Sequence, residues 1–393
     1  MLPLSEVKVL DLSRVLAGPY CSMILADLGA DVVKVEMPKK GDDSRAFGPF
    51  VNGESAYFMS INRNKKSITL NLKAPKGKEI FKNLVKKFDV VLENFRPGTM
   101  ERLGLGYDVL KKINPGLIYA ACSGYGQTGP YTDRPAYDAV IQAMGGLMSI
   151  TGFPEGRPTR VGASIADITA GLFTTIGIMA ALVKRKSTGE GDMVDIAMLD
   201  SIVAVLENAI ARYEITGKVP GPIGNRHPSI TPFESFRVSD GEIMVAVGND
   251  DLWAKFCQAI DKPELIDEPK FKINPQRVEN YDALKPILQS VMAQKSVDEW
   301  ILILEKAGVP CSPINTIDRV VNHPQVMARD MIVKIHHPTA GEIKIPGSPL
   351  KFNNAKVIFN PAPILGQHTD EILKELLNMN ENEINMLRNN EII

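Results

Sequence analysis

The stretch from Val7 to Glu36 restricts the fold more than any other part of the chain. Val7-Lys8-Val9-Leu10-Asp11-Leu12 is a short apolar run, a loop leads to Gly18, Pro19 to Leu28 has helical spacing, and Val32-Val33-Lys34-Val35-Glu36 is apolar again. Pro19 at the first helical position and Gly29 just past the last turn are the expected start and stop residues. A strand, a helix and a strand of these lengths form a crossover, which implies a parallel sheet covered by helices. The expected class is α/β, with a large domain built on an open, Rossmann-like parallel sheet. Such sheets bind ligands beyond the carboxyl ends of their strands, so Ser13-Arg14-Val15-Leu16-Ala17-Gly18 is a candidate ligand loop. It is not GxGxxG. A dinucleotide in the usual Rossmann mode is therefore disfavoured, although Glu36 ends the second strand where a ribose-binding acid would stand.

The alternation continues. Ser67 to Leu72 reads as a strand, Pro75 to Phe88 as an amphipathic helix, Asp89 to Glu93 and Leu117 to Cys122 as strands. Pro38 to Lys66 reads as a solvated loop in which any one basic residue more readily faces water than a phosphate. Asn94-Phe95-Arg96-Pro97-Gly98 and the glycine-rich Ser123 to Pro130 again follow strand ends. Gly191 to Leu199 is a strand running into a long helix through Ile215. Gly217 to Pro232, with four prolines and three glycines, marks a linker. Beyond it, a hairpin turning at Ser239-Asp240-Gly241 and helices over Leu252–Ile260 and Tyr281–Lys306 describe a smaller α+β domain. The tail reads as an amphipathic helix capped by Thr369. The expected division is 1–216 for the large domain, 225–325 for the inserted small domain, and 326–393 as a return that completes the first.

Charge excludes some partners. Lys plus Arg total 45 against 46 Asp plus Glu, so nothing in the global balance suits nucleic acid or an anionic membrane. The amino terminus has no signal-peptide pattern, which points to the cytoplasm. The apolar run Ile168–Val183 is short for a membrane span and reads as a core helix. Four scattered cysteines read as reduced thiols, and the five histidines show no metal-ligand spacing, so no metal site is expected. Cys122 ends a strand without a nearby histidine and reads as a buried thiol rather than a nucleophile.

One residue in the apolar centre stands out. In Val161-Gly162-Ala163-Ser164-Ile165-Ala166-Asp167-Ile168-Thr169-Ala170-Gly171 a single carboxylate sits among small and apolar neighbours, with no basic residue between Arg160 and Lys184. A carboxylate in such surroundings is costly unless donors hold it, and perturbed acids gather at functional sites. The local alternative is that Asp167 caps the helix that follows. The two readings are compatible, since a helix N-terminus would keep a nucleophilic carboxylate ionised.

Taken together, the motifs resemble the family III CoA-transferases, the CaiB/BaiF or formyl-CoA transferase-like group, over nearly the whole chain. The resemblance rests on Val9 to Pro19, Leu28 to Glu36, Asn62 to Ser67, Glu93-Asn94-Phe95-Arg96-Pro97-Gly98, Gly124 to Pro130 and the Asp167 stretch. It implies that Asp167 is the catalytic nucleophile, and that Val15, Leu16, Ala17, Leu72, Lys73, Asn94, Phe95, Arg102, Leu103 and Tyr137 contact CoA, Arg102 through a phosphate. Where some members carry a basic residue this chain has Met37, for which Lys39 or Lys40 is expected to substitute. Gly248-Asn249-Asp250 resembles the family's mobile active-site loop. Within the family, Gly41 to Arg45, Asn225 to Ile230 and Leu365 to Thr369 are especially similar to members that pass CoA from succinyl-CoA to dicarboxylates such as glutarate. An interlocked homodimer is implied as well, with acyl-CoA and a carboxylic acid as substrates and no tightly bound cofactor.

The chemistry suits a carboxylate, because exchanging CoA between acids without hydrolysis needs an anhydride and thioester relay. Gly162, Ala163 and Ala166 are small enough to leave amides open to an oxyanion, and burial would exclude water. A 2-methylacyl-CoA racemase is the nearest rival, but relatives of that type carry a histidine where this chain has Tyr137. A non-catalytic CoA or nucleotide-binding module is the second.

Overall fold

The computed structural model describes all 393 residues. They divide into two compact units: Met1–Leu147, Arg160–Ala211 and Pro324–Ile393 make the first, and Met148–Thr159 with Arg212–His323 the second. The short excursion at 148–159 therefore joins the second unit, in addition to the segment expected there.

The first unit is organised on six parallel strands, β1 (Lys8–Asp11), β2 (Asp31–Glu36), β3 (Lys66–Thr69), β4 (Val90–Glu93), β5 (Ile118–Ser123) and β6 (Met193–Ala197). Their order is β3-β2-β1-β4-β5-β6. The strands are apolar almost throughout because both faces are covered. Leu10, Val33, Ile68 and Val91 pack on one side with Phe81 and Leu84, while Val9, Val32, Val90 and Ala120 pack on the other with Leu25 and Ile178. Winding reverses between β1 and β4. The loops leaving these two adjacent strands diverge there, which opens a crevice at their carboxyl ends.

Helices α1 (Ala17–Asp27), α2 (Pro75–Val85), α3 (Thr99–Arg102), α4 (Asp138–Met144), α5 (Ile165–Thr188) and α6 (Met198–Val205) connect and cover the sheet. The first begins two residues earlier than Pro19, so the proline is its third residue, where its missing N–H is still harmless. At 24 residues, α5 extends beyond the apolar run at both ends and is long and apolar enough to cross a membrane, yet half of its most apolar window is buried against protein. It lies close to α1: a Cβ on Gly171 would stand 2.7 Å from the Ala17 carbonyl oxygen. The long helix expected through Ile215 is broken after α6, with Glu207 at φ +38° before a separate helix Asn208–Thr216.

The region 38–66 differs most from expectation. Arg63 and Lys65 are 2% and 4% exposed, respectively, and Asn62, Asp42 and Ser44 are buried with them. Arg63 clamps Asp27 at 2.6 and 3.0 Å and Lys65 reaches Asp11 at 3.3 Å, so neither is a free phosphate ligand. The charges in this sequence look solvated because their partners lie tens of residues away.

In the second unit, β7 (Phe233–Val238), β8 (Gly241–Ala246) and β9 (Cys311–Pro313) form an antiparallel sheet in the order β9-β8-β7. Helices α7 (Asp250–Ala259), α8 (Tyr281–Met292) and α9 (Val297–Lys306) cover it around Trp253, Phe256, Leu288 and Trp300. The expected single helix over 281–306 is two. Ser296 and Glu299 form a capping box that starts α9 afresh.

The chain then returns to the first unit with a hairpin, β10 (Ile332–His337) and β11 (Gly341–Pro346), and helices α10 (Thr369–Leu377) and α11 (Glu381–Asn389). Ile372, Leu373, Ile384 and Leu387 join the core on one face of the parallel sheet. Thr369 is the first helical residue rather than the cap, and its Oγ1 accepts the Thr69 amide at 3.0 Å, tying the tail to β3.

Candidate active site

The crevice between β1 and β4 holds two adjoining cavities with Arg14 and Phe95 in both walls. The first, about 330 Å³ and mostly apolar, is lined by Leu72, Lys73, Phe95, Arg102 and Leu103, with Met37 and Lys40 on its rim. The second, about 240 Å³ and more polar, is lined by Val15, Leu16, Ala17, Asn94, Phe95, Tyr137 and Asp167. All ten residues expected to contact CoA, drawn from five separate stretches, thus line one or other of two cavities that share Arg14 and Phe95, and Asp167 lines the second.

The loop after β1 is held rigidly. Asn94 brackets it, its Oδ1 accepting the Arg14 amide and its Nδ2 donating to the Arg14 carbonyl, both at 2.7 Å. Arg14 lies over the Phe95 ring with its guanidinium carbon 5.2 Å from the centroid. The helix that follows, α1, has Leu16 as its N-cap and no side chain on its first amides. An uncapped helix start facing a cavity offers N–H donors and a partial positive charge.

Asp167 is not a cap. The helix begins at Ile165 after Ser164, which puts Asp167 in the third helical position, and its carboxylate accepts no hydrogen bond within the chain. The capping carboxylate is that of Asp138. Its Oδ1 accepts the Ala166 amide at 2.9 Å, and its Oδ2 accepts from Gln142 Nε2 at 2.7 Å. The Ala166 amide is thereby occupied and unavailable to an oxyanion. Helix position does not keep Asp167 acidic either: burial, reinforced by the charge of Asp138, pushes its carboxyl up to about 7. An acid poised near neutrality, half-buried and without donors, serves no hydrogen bond of the fold and is chemically suited to act as a nucleophile.

Charge balance favours anions. Glu36 is held by Arg45 at 2.7 Å through two nitrogens, and by Ser67 at 2.6 Å, so it is not free for a ribose. Lys34 neutralises Asp42 at 2.8 Å. Lys73, Arg96, Arg102 and Arg134 have no carboxylate partner and line the recess. Arg102 donates only to Thr99 Oγ1 at 3.0 Å. Of the two lysines considered as substitutes at Met37, Lys40 faces the first cavity but pairs with Asp43 at 2.7 Å, and Lys39 pairs with Glu391 outside it. Neither is a free cation.

Gly248-Asn249-Asp250 lies in the second unit at the start of α7. Asn249 Oδ1 accepts the Leu252 amide at 2.8 Å, and Asp250 pairs with buried Arg277 at 2.7 Å. Cys122 is buried and its thiol is pushed up to about 12 by burial, which removes it as a nucleophile.

Asp138 and Arg134 are not among the site residues expected from the sequence, and Arg14 appears there only as part of the candidate ligand loop. Asp138 follows Tyr137 directly, and an acid beside a proposed contact residue was the available signal. Its role is visible only because the fold brings it to the start of α5, 28 residues away.

Comparison with known proteins places the whole chain among CoA-transferases. Succinyl-CoA:glutarate CoA-transferase of Mus musculus is 44% identical over 389 residues, spanning 98% of this chain and 89% of its own. Acetyl-CoA:oxalate CoA-transferase of Acetobacter aceti is 45% identical over 352 residues, 89% of each chain. The crystal structure of a CaiB/BaiF family protein from Brucella suis superposes with a TM-score of 0.84 at 40% identity, over 95% of this chain and 99% of that one. The model of CoA-transferase family III matches residues 4–369. With the family model and these relatives spanning nearly its whole length, the chain belongs to CoA-transferase family III.

Proposed function

We propose that the enzyme passes CoA from succinyl-CoA to a dicarboxylic acid, with Asp167 as the nucleophile. The observation that carries the reading is the placement of a donor-free carboxyl with a pKa near 7 in the same recess as the loops after β1 and β4. The names of the relatives, which act on succinyl-CoA with glutarate, D-citramalate or mesaconate, support the substrate class.

Each step conserves one negative charge. The Asp167 carboxylate adds to the thioester carbonyl of the donor, a C–O bond forms, the C–S bond breaks, and CoA leaves as thiolate. The thiolate then attacks the aspartyl carbonyl of the mixed anhydride, giving an aspartyl-CoA thioester and releasing the donor acid. The acceptor carboxylate attacks that thioester and expels the thiolate. Attack of the thiolate on the acceptor's carbonyl yields the new acyl-CoA and restores Asp167. Desolvation makes the carboxylate a stronger nucleophile and keeps water from the anhydrides. The uncapped amides at the start of α1, rather than that of Ala166, supply donors to the oxyanions. Lys73 and Arg102 meet the phosphates of CoA, the apolar first cavity takes its base, and the second admits the pantetheine arm.

The working form is a homodimer of the interlocked kind. Leu172, Ile176, Met179 and Val183, spaced along one face of α5, are exposed by 39 to 70%, an apolar stripe that a second copy would cover.

The test is a panel of acids with succinyl-CoA as donor. Transfer to five- and six-carbon dicarboxylates with Asp167→Ala inactive is expected, and activity confined to monocarboxylates would remove the dicarboxylate assignment.

A further inference from the structure

The loop that carries Val15, Leu16 and Ala17 adopts a conformation its sequence does not favour. Val15 has φ +67°, in the left-handed region that a β-branched residue almost never enters without an external constraint. Such a backbone persists only where surrounding structure imposes it, and such positions cluster at ligand clamps.

The constraint is a buried charge cluster under the loop. Asp42, 2% exposed, accepts the Val15 amide at 3.0 Å with Oδ1, the same oxygen that accepts the Ser44 amide and hydroxyl. Its Oδ2 is paired at 2.8 Å with Lys34, which is 1% exposed and also donates to the Ser13 carbonyl at 2.7 Å. Asp11 accepts the Ser13 amide at 2.9 Å and is itself paired with Lys65. Ser13, Arg14 and Val15 are therefore each tied by a backbone group, while Leu16 and Ala17, at the start of a helix with no side-chain cap, line the cavity that holds Asp167. Burial alone would raise the carboxyl of Asp42, but the ammonium of Lys34 and the amides it accepts hold it well below the usual carboxylate range. It stays an anion, and a better acceptor than a neutral side chain would be.

We propose that Asp42 is a positioning residue for CoA transfer: through the Val15 amide it holds the loop after β1 in its left-handed form, so that the Leu16 and Ala17 edge is preset for acyl-CoA. This rests on the reading that this edge binds CoA. It adds that the binding geometry is imposed from beneath, by a residue whose carboxylate is engaged with the Val15 and Ser44 amides and with Lys34.

Three variants separate a positioning role from a structural one. Asp42→Asn removes the charge that orders the cluster. Val15→Pro leaves Asp42 and Lys34 intact but deletes the donated N–H and forbids positive φ, and it remains informative if Asp42→Asn does not fold. Both are expected to raise KM for succinyl-CoA about tenfold or more and to lower kcat as well, because the displaced edge also carries the oxyanion donors. Val15→Gly in the Asp42→Asn background should restore KM to within about threefold, because glycine enters this region without help; a purely structural role of Asp42 would show no such rescue. Unchanged KM in both Asp42→Asn and Val15→Pro, or no rescue by glycine, overturns the proposal. Ala17→Trp, which fills the second cavity, reports on the underlying reading: raised KM there with unchanged KM in Val15→Pro defeats only the positioning role, while unchanged KM in Ala17→Trp removes CoA from this loop altogether.

Discussion

Asp138 caps the helix that carries Asp167, and its charge adds to burial in raising the pKa of that same residue. One carboxylate fixes the start of α5 by accepting the Ala166 amide, and its proximity makes ionisation of the other harder. The arrangement resembles a divided pair of acids, one buried in hydrogen bonds and one left without donors, whose environments give them different tasks.

The first prediction follows from that pair. With Asp167 near 7 and active as the anion, kcat/KM for the acyl donor should fall on the acidic side with an apparent pKa close to 7. Asp138→Asn keeps an acceptor for the Ala166 amide but removes the charge, so the acid limb should move to lower pH. A pH profile of both proteins measures it, and an unmoved limb would separate Asp138 from the electrostatics of the site.

A second prediction concerns Glu93, 5% exposed at the end of β4, whose Oε2 accepts the Phe95 amide at 2.7 Å. Burial, with Glu101 adding to it, pushes its carboxyl from the ordinary 4.5 up to about 8. The folded protein therefore retains a proton that the unfolded chain has released. Stability from this group is complete below about 4.5 and is lost as pH rises toward about 8. Glu93→Gln should flatten that slope and raise stability at pH 8.5 by on the order of 1–3 kcal/mol, with little change at pH 5. Denaturant melts at the two pH values check it.

Arg63 provides a third. Its guanidinium is clamped on Asp27 and donates to the Pro346 carbonyl at 2.7 Å, joining α1 to the hairpin of β10 and β11. Arg63→Met leaves a buried carboxylate unpaired and should cost about 3–5 kcal/mol. Arg63→Met with Asp27→Leu should recover much of the loss, measured as Tm and denaturation midpoint.

Gly171 gives a fourth. Where α5 crosses α1, a methyl group would press on the Ala17 carbonyl at 2.7 Å. Gly171→Ala should lower stability by about 1–3 kcal/mol and, because α1 begins at the ligand loop, raise KM for acyl-CoA as well. Wild-type kinetics with a lowered Tm would uncouple the helix contact from the site.

The sheet was legible because buried parallel strands leave uninterrupted apolar runs, and Val7 to Glu36 shows both strands and the crossover at once. What the sequence hid was long-range pairing. Arg63, Lys65 and Asp42 look like loop charges until the fold brings Asp27, Asp11 and Lys34 to them, and no local pattern distinguishes a solvated cation from one whose partner lies far along the chain. Asp167 stands out in the sequence as a carboxylate out of place, but its place in the third helical position does not, because Asp138 performs the capping from another helix. Helix ends at Glu207 and Ser296 were missed for a related reason: apolar periodicity continues across breaks that backbone geometry and a capping box decide.

The central claim is that acyl transfer passes through Asp167, and trapping the intermediate tests it most directly. Enzyme incubated with succinyl-CoA and hydroxylamine, then digested and analysed by mass spectrometry, should carry a hydroxamate on the peptide containing Asp167, with loss of activity in step with labelling. Full turnover with no label at Asp167, or labelling and turnover undiminished in Asp167→Ala, would contradict the account.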